Sequence, residues 1–263
     1  MSSGEDILNL QNDEQATCIH IAGRNGSSKV IDIIVKSLAK RPGSSDWREE
    51  LMCAAAAGTL ETMQFVLNEL KVTRISPMAF SAAIRLEGSR QDVGMIPYLL
   101  QCDVEIVLDP KLICRIIRSC SKRTIQIALG RAGAIDITEN HLVAAAQNEL
   151  SSKDALQAVL QHSKSCSITE EVIVAAAEGY FKDDSYEAVE FLLSQPRDVE
   201  ITQEVLRAVA KDYRSGARSM SMIISTYGPF PIAEDLMIAG AINEGNGKEV
   251  LEILLRQTPT ADL

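Results

Sequence analysis

Two short residue patterns alternate along the 263-residue chain, and their regular return leaves few folds open. The first is an apolar residue, two small residues three and four places on, then Gly, Asn or Asp at the seventh place. It reads Ile19…Ala22-Gly23…Gly26, Leu51…Ala54-Ala55…Gly58, Val172…Ala175-Ala176…Gly179 and Leu236…Ala239-Gly240…Asn243, with weaker copies from Ala79, Leu112, His141 and Val205. The second pattern, apolar-x-x-apolar-apolar, is one face of a helix. It falls on Val30/Ile33/Ile34, Met63/Val66/Leu67, Ile96/Leu99/Leu100, Ile125/Ala128/Leu129, Leu156/Val159/Leu160, Val189/Leu192/Leu193, Met220/Ile223/Ile224 and Leu251/Leu254/Leu255. Successive first anchors stand 28 to 33 residues apart, about 31 on average. A period of that length with two helical patterns per unit predicts eight stacked helix pairs.

Local chemistry agrees with this division. Ala and Gly on adjacent turns let helix axes approach closely, and the seventh-place residue suits the left-handed conformation that ends many helices. Asp109, Thr138, Thr169 and Thr202 stand where N-caps belong, and Glu139, Glu170, Glu171, Glu204, Glu234 and Asp235 put negative charge into first turns. From the last residue of each doublet to the next anchor the chain takes 17 residues once and then 12 six times running. Variation in length therefore belongs to the turn between paired helices.

Composition narrows the function classes. Aromatic residues make up only 4% of the chain, and runs such as Ala54-Ala55-Ala56-Ala57 suit thin, closely packed helical layers. With 36 acids against 26 Lys and Arg the formal charge is −10, which argues against nucleic acid or an anionic membrane as partner. No signal peptide, transit segment or membrane span is legible, so a cytoplasmic protein is expected, with the nucleus as the alternative. The six cysteines form no CxxC pair and read as reduced thiols. Cys53 and Cys114 share a repeat place with Ile21, Val143, Val174 and Ile238, which predicts small core residues.

The opening unit, Thr17-Cys18-Ile19-His20-Ile21-Ala22-Gly23-Arg24-Asn25-Gly26, resembles the start of an ankyrin repeat, with Cys18 where that family usually has Pro. The later units, such as Ile168-Thr169-Glu170-Glu171-Val172-Ile173-Val174-Ala175-Ala176-Ala177, are similar to a divergent ankyrin-type repeat of filamentous fungi, found at the C-terminus of NACHT-type, NLR-like proteins. The resemblance implies a non-enzymatic recognition or scaffold surface, in fungal signalling or nonself recognition. It departs from the family in its connections: 12 residues leave about six too few for the projecting β-hairpin. Without a GxxxxGK[ST] loop, the chain reads as a detached or standalone sensor arm.

The expected fold is thus all-α, an ankyrin-like α-solenoid of about eight helix-turn-helix repeats with shortened or absent fingers. Residues 1–14 are expected to cap it, with Ile7, Leu8 and Leu10 over the first helix pair, residues 15–258 to form the repeats, and 259–263 to be a tail. Strand content below about 5% and helix content above about 60% follow, far from the usual proportions.

No histidine has a nucleophile at motif spacing, and no catalytic, metal or cofactor site is predicted. His20 fits a turn-stabilising place, His141 an apolar anchor, and His162 lies just past a helix. A basic cluster of six residues and no acids runs from Lys111 to Arg131, with Lys111, Arg115, Arg118 and Lys122 spaced for one helical face if the helix continues that far. Arg115 replaces an alanine present in the other seven units. In ankyrin-type stacks the residue before the helix end faces the concave side, and here that place reads Asn25, Ala57, Arg85, Arg118, Gln147, Glu178, Lys211 and Ile242. Arg85, Arg115, Arg118, Gln147, Glu178 and Lys211 are therefore the expected contacts of a protein or peptide partner, in a row running from basic to acidic, on a monomer. The alternative is a small-molecule binder or enzyme of a fungal biosynthetic pathway, with a closed pocket between helices.

Overall fold

The computed structural model describes residues 18–25, 28–38, 46–89, 94–133, 135–163, 167–179, 185–195 and 201–257. Helices make up 72% of it. The chain divides into two compact units, Met1–Cys120 and Ser121–Leu263. The expected cap residues Ile7, Leu8 and Leu10 and the tail lie outside the described residues. No described helix is long and apolar enough to cross a membrane.

The first unit holds α1 (Cys18–Asn25), α2 (Ser28–Leu38), α3 (Asp46–Ala56), α4 (Leu60–Leu70), α5 (Pro77–Ser89), α6 (Met95–Gln101) and α7 (Pro110–Ser119). Its first helices pack side by side in the order α1, α3, α5, α7, and α2, α4 and α6 back them as a second layer. Small residues set that spacing: Ala55 and Ala56 are fully buried in α3, and a Cβ on Gly23 of α1 would stand 2.6 Å from the Ala54 Cβ. Glycine is what permits the crossing. Between layers the stripe is aliphatic, with Met63, Val66, Ile96 and Leu99 fully buried.

The second unit holds α8 (Lys122–Ala132), α9 (Glu139–Ala146), α10 (Ser152–His162), α11 (Glu170–Ala177), α12 (Ser185–Leu193), α13 (Gln203–Lys211), α14 (Gly216–Tyr227), α15 (Glu234–Ala241) and α16 (Gly247–Leu255). Here α9, α11, α13 and α15 form one layer and α8, α10, α12, α14 and α16 the other, each helix touching its neighbours along the layer. The alternation read from the sequence is thus the alternation of layers. His162 is the last residue of α10 and not beyond it.

Among the described residues the connections carry almost no strand. Arg74–Ile75 (β1) pairs in parallel with Glu105–Ile106 (β2), two residues from each of two successive connections, and Arg74 and Glu105 also form an ion pair at 3.8 Å. No hairpin occurs among the described residues. Residues 90–93 and 180–184, between paired helices, lie outside the described residues, as does Asn25's side chain.

Several local expectations need correction. In α2 the buried residues are Ile31 and Ile34, while Val30 is 44% and Ile33 63% exposed, so the apolar face is Ile31/Ile34/Val35, one place later than the doublet read from sequence. In α16 the slip runs the other way: Val250 and Leu254 are buried and Leu255 is 55% exposed. The seventh-place residues Asn148, Gly179, Asp212 and Asn243 do not take the left-handed conformation. Instead the Asn148, Asp212 and Asn243 side chains fold back and accept backbone N–H groups two and three residues on, as in an Asx turn. The four predicted N-caps hold their places; Asp109 accepts from the Leu112 N–H at 2.8 Å and Thr202 from that of Val205 at 3.3 Å.

Candidate functional site

First helices carry every residue of the predicted partner row, four of the six at or beside a helix end. Arg85, Arg115, Arg118, Gln147, Glu178 and Lys211 are all exposed. Gln147 and Glu178 are the C-caps of α9 and α11, and Lys211 is the last residue of α13. Arg118 is the penultimate residue of α7, whereas Arg85 sits inside α5, which runs on to Ser89. The row falls in two parts, Arg85, Arg115 and Arg118 in the first unit, Gln147, Glu178 and Lys211 in the second.

In the second unit the surface around Lys211 is indented. One depression of about 110 Å³ lies between the ends of α11 and α13 and is lined by Glu178, Gly179, Ala208, Lys211, Tyr213 and Arg214 among others. Another of about 270 Å³ lies between the ends of α13 and α15, lined by Lys211, Tyr213, Ile242, Asn243 and Glu244. Lys211 and Tyr213 line both and form the ridge between them. Tyr213 is 61% and Ile242 62% exposed. Tyr213 escaped sequence reading because the repeat register stops at the seventh place; the only signal was a large aromatic in a turn of a chain with few aromatics.

The ridge is held from beneath through its main-chain atoms by asparagine side chains. Asn243, buried in the turn after α15, donates through Nδ2 to the carbonyls of Ala210 and Asp212, both at 2.8 Å, and its Oδ1 accepts from the Gly245 and Asn246 N–H groups. Asn246 donates to the Tyr213 carbonyl at 2.9 Å and accepts from the Ala217 N–H at 3.1 Å. Asp212 in turn accepts from the hydroxyls of Ser185 at 2.8 Å and Ser215 at 2.9 Å. The turn bearing Tyr213 is thereby tied to the repeats on both sides.

The basic cluster divides. α7 ends at Ser119, so Lys111, Arg115 and Arg118 share a face but Lys122 does not; it opens α8 and bonds to Asp154 at 3.1 Å and Gln157 at 2.6 Å. Arg115 stays at the surface and donates to the Ser81 hydroxyl of the preceding repeat. Cys53 and Cys114 are half-buried on this helical layer rather than core residues. Burial, with the Glu49 carboxylate beside it, pushes the Cys53 thiol up to about 11, and burial raises Cys114 as well, so both are protonated at neutral pH. Cys18, Cys102 and Cys120 carry no disulfide; Cys166 lies outside the described residues. His20 bridges to Glu50 at 2.9 Å.

His141 is 2% exposed, and its Nδ1 accepts the Thr138 N–H at 3.1 Å, which leaves the proton on Nε2. That Nε2 is buried with no hydrogen-bond partner among the described residues. Burial holds the imidazole below its usual pKa, so the folded state refuses a proton that the unfolded chain takes up below about 6.5. Stability from this group is full above that value and is lost as pH falls through it, until the lowered folded pKa is passed. Melting temperatures across mildly acid pH should therefore fall more steeply for wild type than for His141→Leu; parallel curves would show that the imidazole is not responsible.

A family model described as a domain of unknown function, DUF7104, matches residues 162–180, 191–220 and 229–250. Each matched segment contains one connection and the first helix that follows it, α11, α13 or α15, and together they hold the ridge and both depressions. Comparison with curated proteins and with solved structures gives no match.

Proposed function

We propose that the chain is a divergent ankyrin-type repeat protein that binds a protein or peptide, without catalysis, at the ends of its first helices. One observation carries the reading: two open depressions of about 110 and 270 Å³ flank an exposed Tyr213 whose turn is fixed by its backbone. A rigid aromatic between two recesses, with Ile242 beside it and charged side chains at the margins, has the make-up of an interface hot spot. Holding the turn in place before binding removes part of the ordering cost of association. The setting is a cytoplasmic or nuclear recognition module of the fungal NLR-like kind, on the strength of the sequence resemblance.

Partners captured by the intact protein and identified by mass spectrometry supply the test. Tyr213→Ala with Ile242→Ala should weaken the cognate partner about tenfold or more, while melting shifts by less than about 2 °C because both side chains are exposed. Undiminished capture by the double variant overturns the assignment.

A further inference from the structure

The first unit carries a second surface that the Tyr213 ridge does not explain. On α7 Lys111, Arg115 and Arg118 stand four and three residues apart and are all exposed, and Arg85 holds on the neighbouring helix α5 the repeat place that Arg118 holds on α7. Among the described residues no carboxylate forms an ion pair with any of the four. Folding accounts poorly for this strip. Like charges at these spacings repel one another, and Lys111, in the first turn of α7, opposes the helix dipole. Arg115 stands where every other unit has alanine, and its bond to Ser81 fixes the guanidinium against the preceding repeat rather than neutralising it. Only Arg118, in the last turn, suits the dipole. Lys122, by contrast, is used by the fold in its bonds to Asp154 and Gln157.

We infer that the strip formed by Arg85, Lys111, Arg115 and Arg118 docks an acidic, extended peptide segment of a partner protein. Packed helices lie about 10 Å apart, so α5 and α7 present their cations at a spacing that carboxylates along an extended strand can match. The rest of the molecule selects against longer polyanions. With a formal charge of −10, a nucleic acid running beyond the strip meets net repulsion, whereas a short acidic segment ends within it. The inference rests on the proposal that the first-helix ends are a recognition surface, but uses a different unit and different residues from the ridge.

A fluorescently labelled, Glu-rich peptide titrated onto the full-length protein by anisotropy tests it. Binding that falls steeply with salt is expected, weakened about tenfold by Arg115→Glu with Arg118→Glu. The same change in net charge made elsewhere, Arg123→Glu with Lys248→Glu, should alter it less than about twofold. Arg115→Ala with Arg118→Gln provides the variant if charge reversal harms folding, since alanine is what the other units carry. Equal weakening by both charge-reversed pairs, or no loss with the neutral pair, overturns the inference. Tighter binding of single-stranded oligonucleotide than of peptide also overturns it. Loss of peptide binding in the strip variants with the Tyr213→Ala, Ile242→Ala protein unaffected separates this surface from the ridge; the reverse pattern refutes the strip alone.

Discussion

Replacing Asn243 by Ala should lower stability by about 3 kcal/mol, a drop of roughly 6–12 °C in melting temperature. The side chain is nearly buried, and both ends of its amide are engaged with the main chain. Truncation leaves the carbonyls of Ala210 and Asp212 and the N–H groups of Gly245 and Asn246 to find other partners, and a buried polar group without one is costly. Asn243→Asp separates the two halves of the interaction. It keeps the oxygen that builds the turn but sets a second oxygen against two carbonyls, so it should fail to restore the loss. Thermal or urea unfolding followed by circular dichroism reads both variants. An Ala variant that melts with wild type would remove Asn243 from the forces joining α13 to α15.

Gly245→Ala should destabilise by a similar amount, about 2–4 kcal/mol, for a steric reason. A Cβ there would stand 1.9 Å from the Tyr213 carbonyl oxygen and 2.9 Å from its carbon, both main-chain atoms that no rotamer change can move aside. Either the turn after α15 or the turn after α13 must shift, and the Asn246 bond to Tyr213 lies in the path of that shift. Gly130→Ala gives the opposite sign. Nothing lies within 4 Å of the added methyl in α8, and exchanging glycine for alanine in an exposed helix gains about 0.5–1 kcal/mol. Urea midpoints for the two proteins should move in opposite directions. A neutral Gly245→Ala would mean that the two turns are not locked together.

The layered all-α architecture was legible because its causes are local and repeated. Alanine pairs mark helices that must approach closely, apolar stripes mark those that back them, and 12-residue connections are too short for a hairpin. Register failed where the sequence offers two answers. In Val30-Ile31 with Ile33-Ile34-Val35, and in Val250-Leu251 with Ile253-Leu254-Leu255, the same helical spacing can be drawn twice, one residue apart, and only the neighbouring layer decides which face it covers. The seventh-place residues failed for another reason. Asn and Asp can end a helix either by turning left-handed or by folding their side chains onto the following N–H groups, and contacts from the previous repeat, such as those of Asn243 with Ala210 and Asp212, favour the second. Of the candidate surface, the polar row was readable as a column of the repeat. Tyr213 was not, since its position depends on a turn whose geometry is fixed thirty residues later in the chain.

The pedestal beneath Tyr213 engages that residue through its carbonyl, and the ring contributes no hydrogen bond to it. Carbonyls are common to every amino acid, so the hydrogen bond that holds this turn does not depend on which side chain stands on the ridge, provided position 245 remains glycine. A lineage could exchange the residue at 213, and with it the shape and chemistry offered to whatever docks between the flanking recesses, while the support underneath is inherited unchanged. Recognition and folding are thereby placed on separate atoms of one turn, and novelty in the first can accumulate without debt to the second.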